Sequence, residues 1–243
     1  MSLTRAAIRL SAVRALRAAN TYCGQGVRDS EQAAIEELDG NAERPYLVVY
    51  TDSVVSQPGG RGLLVGGDLD LLIEITMTPK MIVVTDDETG EQKNVWVDTP
   101  TDPAMELTVD IIERQIRNGL MNARNPWAEI LRSFVSGFRD VASHRGASHR
   151  EGLRFVGRQV KLTCDTVMEP APGEAAVQLA PGTRWGTFLA ALRAEPDPRT
   201  ARIADLFEAE LRGDTTWTPG EVTRGNWGLT AAEARALIAD GPA

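Results

Sequence analysis

The spacing of apolar positions changes several times along the chain. In LTRAAIRLSAVRALR, Leu3, Ala6, Leu10, Val13 and Leu16 recur at helical intervals, with Arg5, Arg9, Arg14 and Arg17 largely elsewhere, which predicts an amphipathic helix with one apolar stripe. CGQG breaks it, VRDS reads as a short extended piece, and an acidic helical turn follows. RPYLVVY is β-branched and aromatic, with proline at the start of the strand, where the ladder loses least. LDLLIEITM alternates, placing Leu69, Leu71, Ile73 and Ile75 on one fully apolar face. MIVVTDDETGEQKNVWVD reads as two strands, near Met81–Thr85 and Val95–Asp98, joined by a polar hairpin tip.

The period then lengthens. Met105, Val109, Ile112, Ile116 and Leu120 form a helical stripe that begins at the Asp102-Pro103 start signal. NPWAEILRSFVSGFRDVA repeats that formula, with Asn125 as N-cap and Pro126 at the first helical position. A basic loop leads into RQVKLTCDTVM, where Val160, Leu162 and Cys164 alternate with polar residues. After EPAPGE the character changes to short helices, WGTFLAALRA, RTARIADLFEAELRG and TAAEARALIAD, between proline- and glycine-rich joints. Thr230 and Glu233 form a capping box for the last of them. Trp217 and Trp227 lie in irregular stretches and need cover from this chain or from a neighbouring subunit. These elements predict an α/β protein of the α+β kind: a mixed, mostly antiparallel sheet packed by amphipathic helices over 1–173, then a helical C-terminal extension over 174–243.

Bulk properties narrow the class. The 243 residues suffice for one good core with a smaller appendage. No apolar run approaches the roughly 20 residues that span a bilayer, and arginines interrupt the first helix too often for a signal peptide. Two cysteines far apart, Cys23 and Cys164, suit buried thiols in a reducing compartment better than a disulfide scaffold. A net charge of -8 argues against a surface that grips nucleic acid throughout. The charge is segregated: residues 1–28 hold five arginines and no acid, 29–43 hold six acids and no base, and His144–Lys161 is basic. Such blocks pair within one fold, between identical subunits or with other partners, or are simply solvated faces.

No motif carries catalysis. VSQPGGRGLLVGGDL is rich in glycine but has neither the lysine and hydroxyl of a phosphate loop nor a following helix; it runs into a strand and reads as a turn between strands. His144 and His149 stand five apart beside Arg145 and Arg150, which disfavours a bound cation. Ser136 lies in FVSGF and not in a nucleophile elbow. Asp68, Asp70 and Glu74 share a strand face, where carboxylates are commonly solvated or paired with arginine. The expectation is a non-enzymatic chain with no cofactor and no metal.

The ordered series LTRAAIRLSAVRALR, VRDS, RPYLVVYTDS, GGDLDLLIEI, MELTVDIIERQI, NPWAEILRSFV and GRQVKLTCDTVMEPAPG resembles the tail-terminator proteins of long-tailed bacteriophages and gene transfer agents, over roughly residues 3–173. The resemblance implies an α/β fold and a homo-hexameric ring in the virion. Such a ring, assembled in the host cytoplasm, caps the tail-tube protein and presents a surface to the head connector. DNA would pass through its lumen without sequence-specific contact, and no membrane is involved. On that reading Gly59, Gly60, Arg61 and Gly62 of one loop, and Asp86, Asp87, Glu88, Thr89 and Gly90 of the hairpin tip, are expected to dock on tube or connector. Arg5, Arg9, Arg14, Arg17, Glu36, Glu37, Arg145 and Arg150 are expected at subunit interfaces or in the lumen. A head-completion or stopper subunit of the same neck is the near alternative. An intracellular enzyme whose site converges only in three dimensions is the distant one.

Overall fold

A computed structural model of the chain describes residues 3–30, 45–56, 65–77, 81–85, 92–96, 102–150, 153–171 and 174–213. It divides into two compact units, Met1–Met168 and Glu169–Ala243. The first is an α+β unit. Its elements are α1 (Leu3–Ala18), β1 (Val27–Asp29), β2 (Tyr46–Ser56), β3 (Gly67–Met77), β4 (Met81–Thr85), β5 (Gln92–Trp96), α2 (Asp102–Met121), α3 (Pro126–Ser133), β6 (Val135–Arg150) and β7 (Leu153–Thr166).

Five strands form one sheet in the order β1-β2-β3-β7-β6, and β4 and β5 form a separate two-stranded ribbon. Only β1 and β2 run parallel; all other neighbours are antiparallel. The alternation read in β3 is what the sheet uses: Leu69, Leu71, Ile73 and Ile75 are fully buried. Register brings Leu47 and Val49 of β2, and Val160, Leu162 and Cys164 of β7, onto the same face. Each such side chain, fully buried, contributes about 2 kcal/mol. Against this face lie α1, α2 and α3, and the α2 stripe of Val109, Ile112, Ile116 and Leu120 is buried as its spacing predicts. Asn125 caps α3 by accepting from the Trp127 amide, and its own side-chain amide donates to the Ala15 carbonyl (2.9 Å), fixing α3 on α1.

Three readings are corrected. The first helix is not a one-stripe helix: Thr4, Ala7, Ile8, Leu10, Ser11, Ala12, Val13, Ala15 and Leu16 are all buried, around most of its circumference. The helix from Asn125 does not continue through FVSGFRDVA; it stops at Ser133, and β6 begins at Val135. The basic stretch from His144 is not a loop, because β6 runs to Arg150 and returns through β7 from Leu153 as a long hairpin.

The glycine-rich stretch does connect two strands, β2 and β3. Its last two glycines are required by close approach. A Cβ on Gly66 would lie 2.2 Å from the Thr166 carbonyl oxygen, and one on Gly67 would lie 2.4 Å from that of Val55.

The second unit holds α4 (Ala175–Gln178), α5 (Arg184–Arg193) and α6 (Pro198–Arg212). Thr183 and Asp197 cap α5 and α6, and Gly213, at φ 76°, ends α6 in the left-handed conformation. Trp185, Phe188 and Phe207 make a small aromatic core with centroids 5.2 to 6.2 Å apart. The capping box, Trp217 and Trp227 fall outside the described residues.

Candidate functional site

Three of the arginines of α1 point at the first strands, and Arg14 points at α3. Arg5 donates to the Thr51 hydroxyl (2.7 Å) and to its carbonyl, and Arg9 pairs with Asp29 at 2.7 Å. Arg17 donates twice to the Val27 carbonyl, at 3.0 and 2.7 Å. Arg14 bonds the Leu10 carbonyl (3.2 Å) and lies 5.1 Å over the Trp127 ring. These contacts tie the helix to β1, β2 and α3, so all four arginines expected at interfaces or in the lumen make intramolecular contacts. β1 is only three residues long, and Arg17 and Arg9 occupy acceptors on it, which blunts that edge of the sheet.

At the other edge, α2 stands beside β6 and β7 and encloses an open groove of about 700 Å³. Asp110, Glu113, Arg114, Arg117, Asn118, Ser143, Arg145 and Arg158 line it. Arg158 follows the apolar row of β7 on the helix side, opposite Ile75, and is largely buried. It reaches Glu106 (2.8 Å), Glu113 (3.2 Å) and Asp110. Glu113 also accepts from Arg117 and from the Ser143 hydroxyl (2.8 Å), and Arg145 pairs with Glu106 at 2.9 Å. Burial opposes ionisation of Glu113, yet the hydrogen bonds from Arg117, Ser143 and Arg158 prevail and hold its carboxyl below the usual range. Burial likewise opposes the charge on Arg158, and its bonds to Asp110 and Glu113 more than restore it. A carboxylate held this way is a fixed anion near neutrality and not a proton donor.

The second face of the sheet, away from the helices, carries a polar network beside three buried side chains, Tyr46, Val48 and Leu72. Asp70 accepts from Ser53 (2.6 Å) and Thr163 (2.7 Å) and pairs with Lys161 at 2.8 Å. Arg139 bridges Asp68 (3.0 Å) and Asp165 (3.2 Å). Tyr50 donates to Glu74 at 2.5 Å, with Gln159 bonded to both. Burial, then the bond to Glu74, pushes the Tyr50 hydroxyl well above its ordinary value. Asp68, Asp70, Glu74 and Asp165 are thus paired or hydrogen-bonded, and they outnumber Arg139 and Lys161. Both cysteines are buried and unpaired, and burial raises their thiols, Cys23 to about 11 and Cys164 to about 12.

Of the residues singled out from the sequence, Arg145 lies in the groove, whereas Arg150 ends β6 opposite Leu153. Gly59, Gly60, Arg61, Gly62, Asp86, Asp87, Glu88, Thr89, Gly90, Glu36 and Glu37 lie outside the described residues. The groove itself was not anticipated. Its α2 wall was readable, because Glu106, Asp110, Glu113 and Arg117 follow each other by three or four positions on one flank. Its other wall comes from β6 and β7, whose pairing no local pattern announces.

Among the described residues no group of three histidines, cysteines or carboxylates is placed to hold a metal ion, and no helix is long and apolar enough to cross a membrane. Compared with known proteins, the chain matches no family model and no curated sequence.

Proposed function

We propose that this chain is a structural virion protein, a ring-forming tail terminator that caps the tail tube and joins it to the head connector. One observation carries the reading. The segments that resemble the family, from the arginine-rich helix to GRQVKLTCDTVM, fold into one α+β unit with an open sheet whose two edges are unlike. One edge is the three-residue β1, blunted by Arg9 and Arg17; the other is the 16-residue β6 beside a charged groove. A ring needs heterologous contacts, in which one surface meets a different surface on the next copy, and unlike edges supply two such surfaces.

In this ring the helices lie outward and the acidic patch on the opposite sheet face lines the passage. Asp68, Asp70, Glu74 and Asp165 offset Arg139 and Lys161 there. A net acidic wall lets a polyanion through without the phosphate contacts that would hold it.

The test is electron microscopy of particles lacking the protein. Tails of uncontrolled length are expected. Tails of normal length on full heads that leak DNA would replace this reading with that of a stopper.

A further inference from the structure

Helix cover thins at the β6 edge. Leu162 of β7 is buried, but Val141, its partner on β6 and on the same face, is 41% exposed. Ser143 and Arg145 follow on that face, as their bonds to Glu113 and Glu106 of α2 demonstrate. The result is a trough with a β6 floor and an α2 wall. On the wall stand Arg114, Arg117 and Asn118, all exposed; Arg117 pairs with Glu113 and Asp110 with Arg158, while among the described residues no ion pair engages Arg114. Above them, Leu107 and Ile111 form an exposed apolar pair one turn apart, 61% and 47% accessible, on the side of α2 away from its buried stripe. An occupant that fits is an acidic segment with a few apolar side chains.

The chain contains one such segment. Residues 31–43, EQAAIEELDGNAE, carry five acids and no base, with Ile35 and Leu38 three positions apart. They connect β1 to β2, at the opposite edge of the sheet from the trough. Four strand spacings separate the two edges, about 19 Å. Out to β6 and back is about 38 Å across the sheet, and clearing the helix layer, about 10 Å each way, takes the path beyond the roughly 50 Å that these residues span at full extension. The segment therefore reaches a trough only on another copy.

We propose that the trough beside β6 is the socket for the acidic segment 31–43 of a second copy of this chain, so that the β1 edge of one subunit meets the β6 edge of the next. The inference rests on the ring reading above and specifies its interface. The contact is heterologous, so each copy offers one segment and one socket, and repetition closes a ring. Opposite charge sets the register and direction of assembly more than its raw strength.

The experiment is size-exclusion chromatography with light scattering across protein concentration. It uses the full chain, Arg114→Glu, the milder Arg114→Gln, Glu36→Arg/Glu37→Arg, and a chain combining Arg114→Glu with the two glutamate reversals. Arg114 is exposed and the variants' melting temperatures are checked, so folding is controlled. Either reversal alone is expected to raise the concentration for half-assembly about tenfold, Arg114→Gln less, and the combined chain to recover most of the loss. Rings in the wild type that neither reversal weakens, or a combined chain that does not recover, would overturn the socket and leave the ring reading standing. A charge-dependent oligomer that is not a closed ring would keep the socket and overturn the terminator. A wild type that stays monomeric, alone and with tube protein, overturns both.

Discussion

Arg158 shows what one residue does in this protein. It stands where the apolar row of β7 would otherwise continue, and it converts the end of the core into a junction between sheet and α2. Its guanidinium holds Glu106, Asp110 and Glu113 together, and removal leaves three carboxylates facing one another with Glu113 largely buried. Breaking a buried pair from one side costs more than the pair contributes. Arg158→Ala is therefore expected to lower unfolding stability by about 3 kcal/mol in urea titration. The same cluster sets an acid limit. Glu113 and Asp70 have folded values depressed below their ordinary ones, in both cases because hydrogen bonds from cationic and hydroxyl donors overcome burial. Their stabilisation is present above the unfolded values, about 4.3 and 3.9, and is lost as pH falls through the lower folded values. Melting temperature is expected to fall on acidification below about pH 4.5, and more shallowly in Arg158→Ala. An unchanged acid slope in that variant would mean that the cluster does not link protonation to folding.

At the scale of elements, the close packing of strand ends decides which substitutions matter. Gly66 leads into β3 against the backbone of Thr166, and an added methyl there must move main chain. Gly66→Ala is expected to cost about 2 kcal/mol, whereas Gly137→Ala, with nothing within 4 Å of its added Cβ, is expected to be neutral in the same titration. Equal effects would show that β3 and β7 are not packed this closely. The two glycines also mark how far the sequence could be read. β3 was legible because Leu69, Leu71, Ile73 and Ile75 hold one face at a two-residue period, although Leu72 on the other face is buried as well. β6 was not legible. Trp127, Ile130, Phe134, Phe138 and Val141 continue a helical spacing through the end of α3, while irregularities between Val135 and Gly137 and between Phe138 and Asp140 break the two-residue period a strand would display. Its far half is polar because it is an edge strand with one thinly covered face, so the basic run resembled a loop. The contacts of the α1 arginines were hidden in another way. Long guanidinium side chains fold back over apolar surface, and acceptors on β1 and β2 lie within reach of Arg5, Arg9 and Arg17. No periodicity reveals such acceptors, and none reveals the pairing of Arg158 with α2 across 48 residues.

At the scale of the whole molecule, the arrangement of charge carries more of the functional argument than its total of -8. The groove carries acids and bases that pair within the subunit, and on the sheet face away from the helices the acids Asp68, Asp70 and Asp165 outnumber the bases Arg139 and Lys161. If that face lines a passage for DNA, assembled rings are expected not to retard duplex DNA at about 0.15 M salt, with a shallow dependence on salt below that. Tight retention with a steep salt slope would require many phosphate contacts, and the acidic face would then not line the passage. A gain of function sharpens the test. Asp68 and Asp165 are partly exposed and both neutralise Arg139. Replacing them, Asp68→Lys/Asp165→Lys, turns that patch from net acidic to strongly basic without touching the core, the edges or the trough. Rings of this variant are expected to assemble normally and to retain DNA in a filter-binding assay, with retention lost as salt is raised. DNA held equally well by unassembled subunits would indicate only a basic surface. Retention that appears only on ring closure, where several copies present the patch to one duplex, would place the face on the lumen.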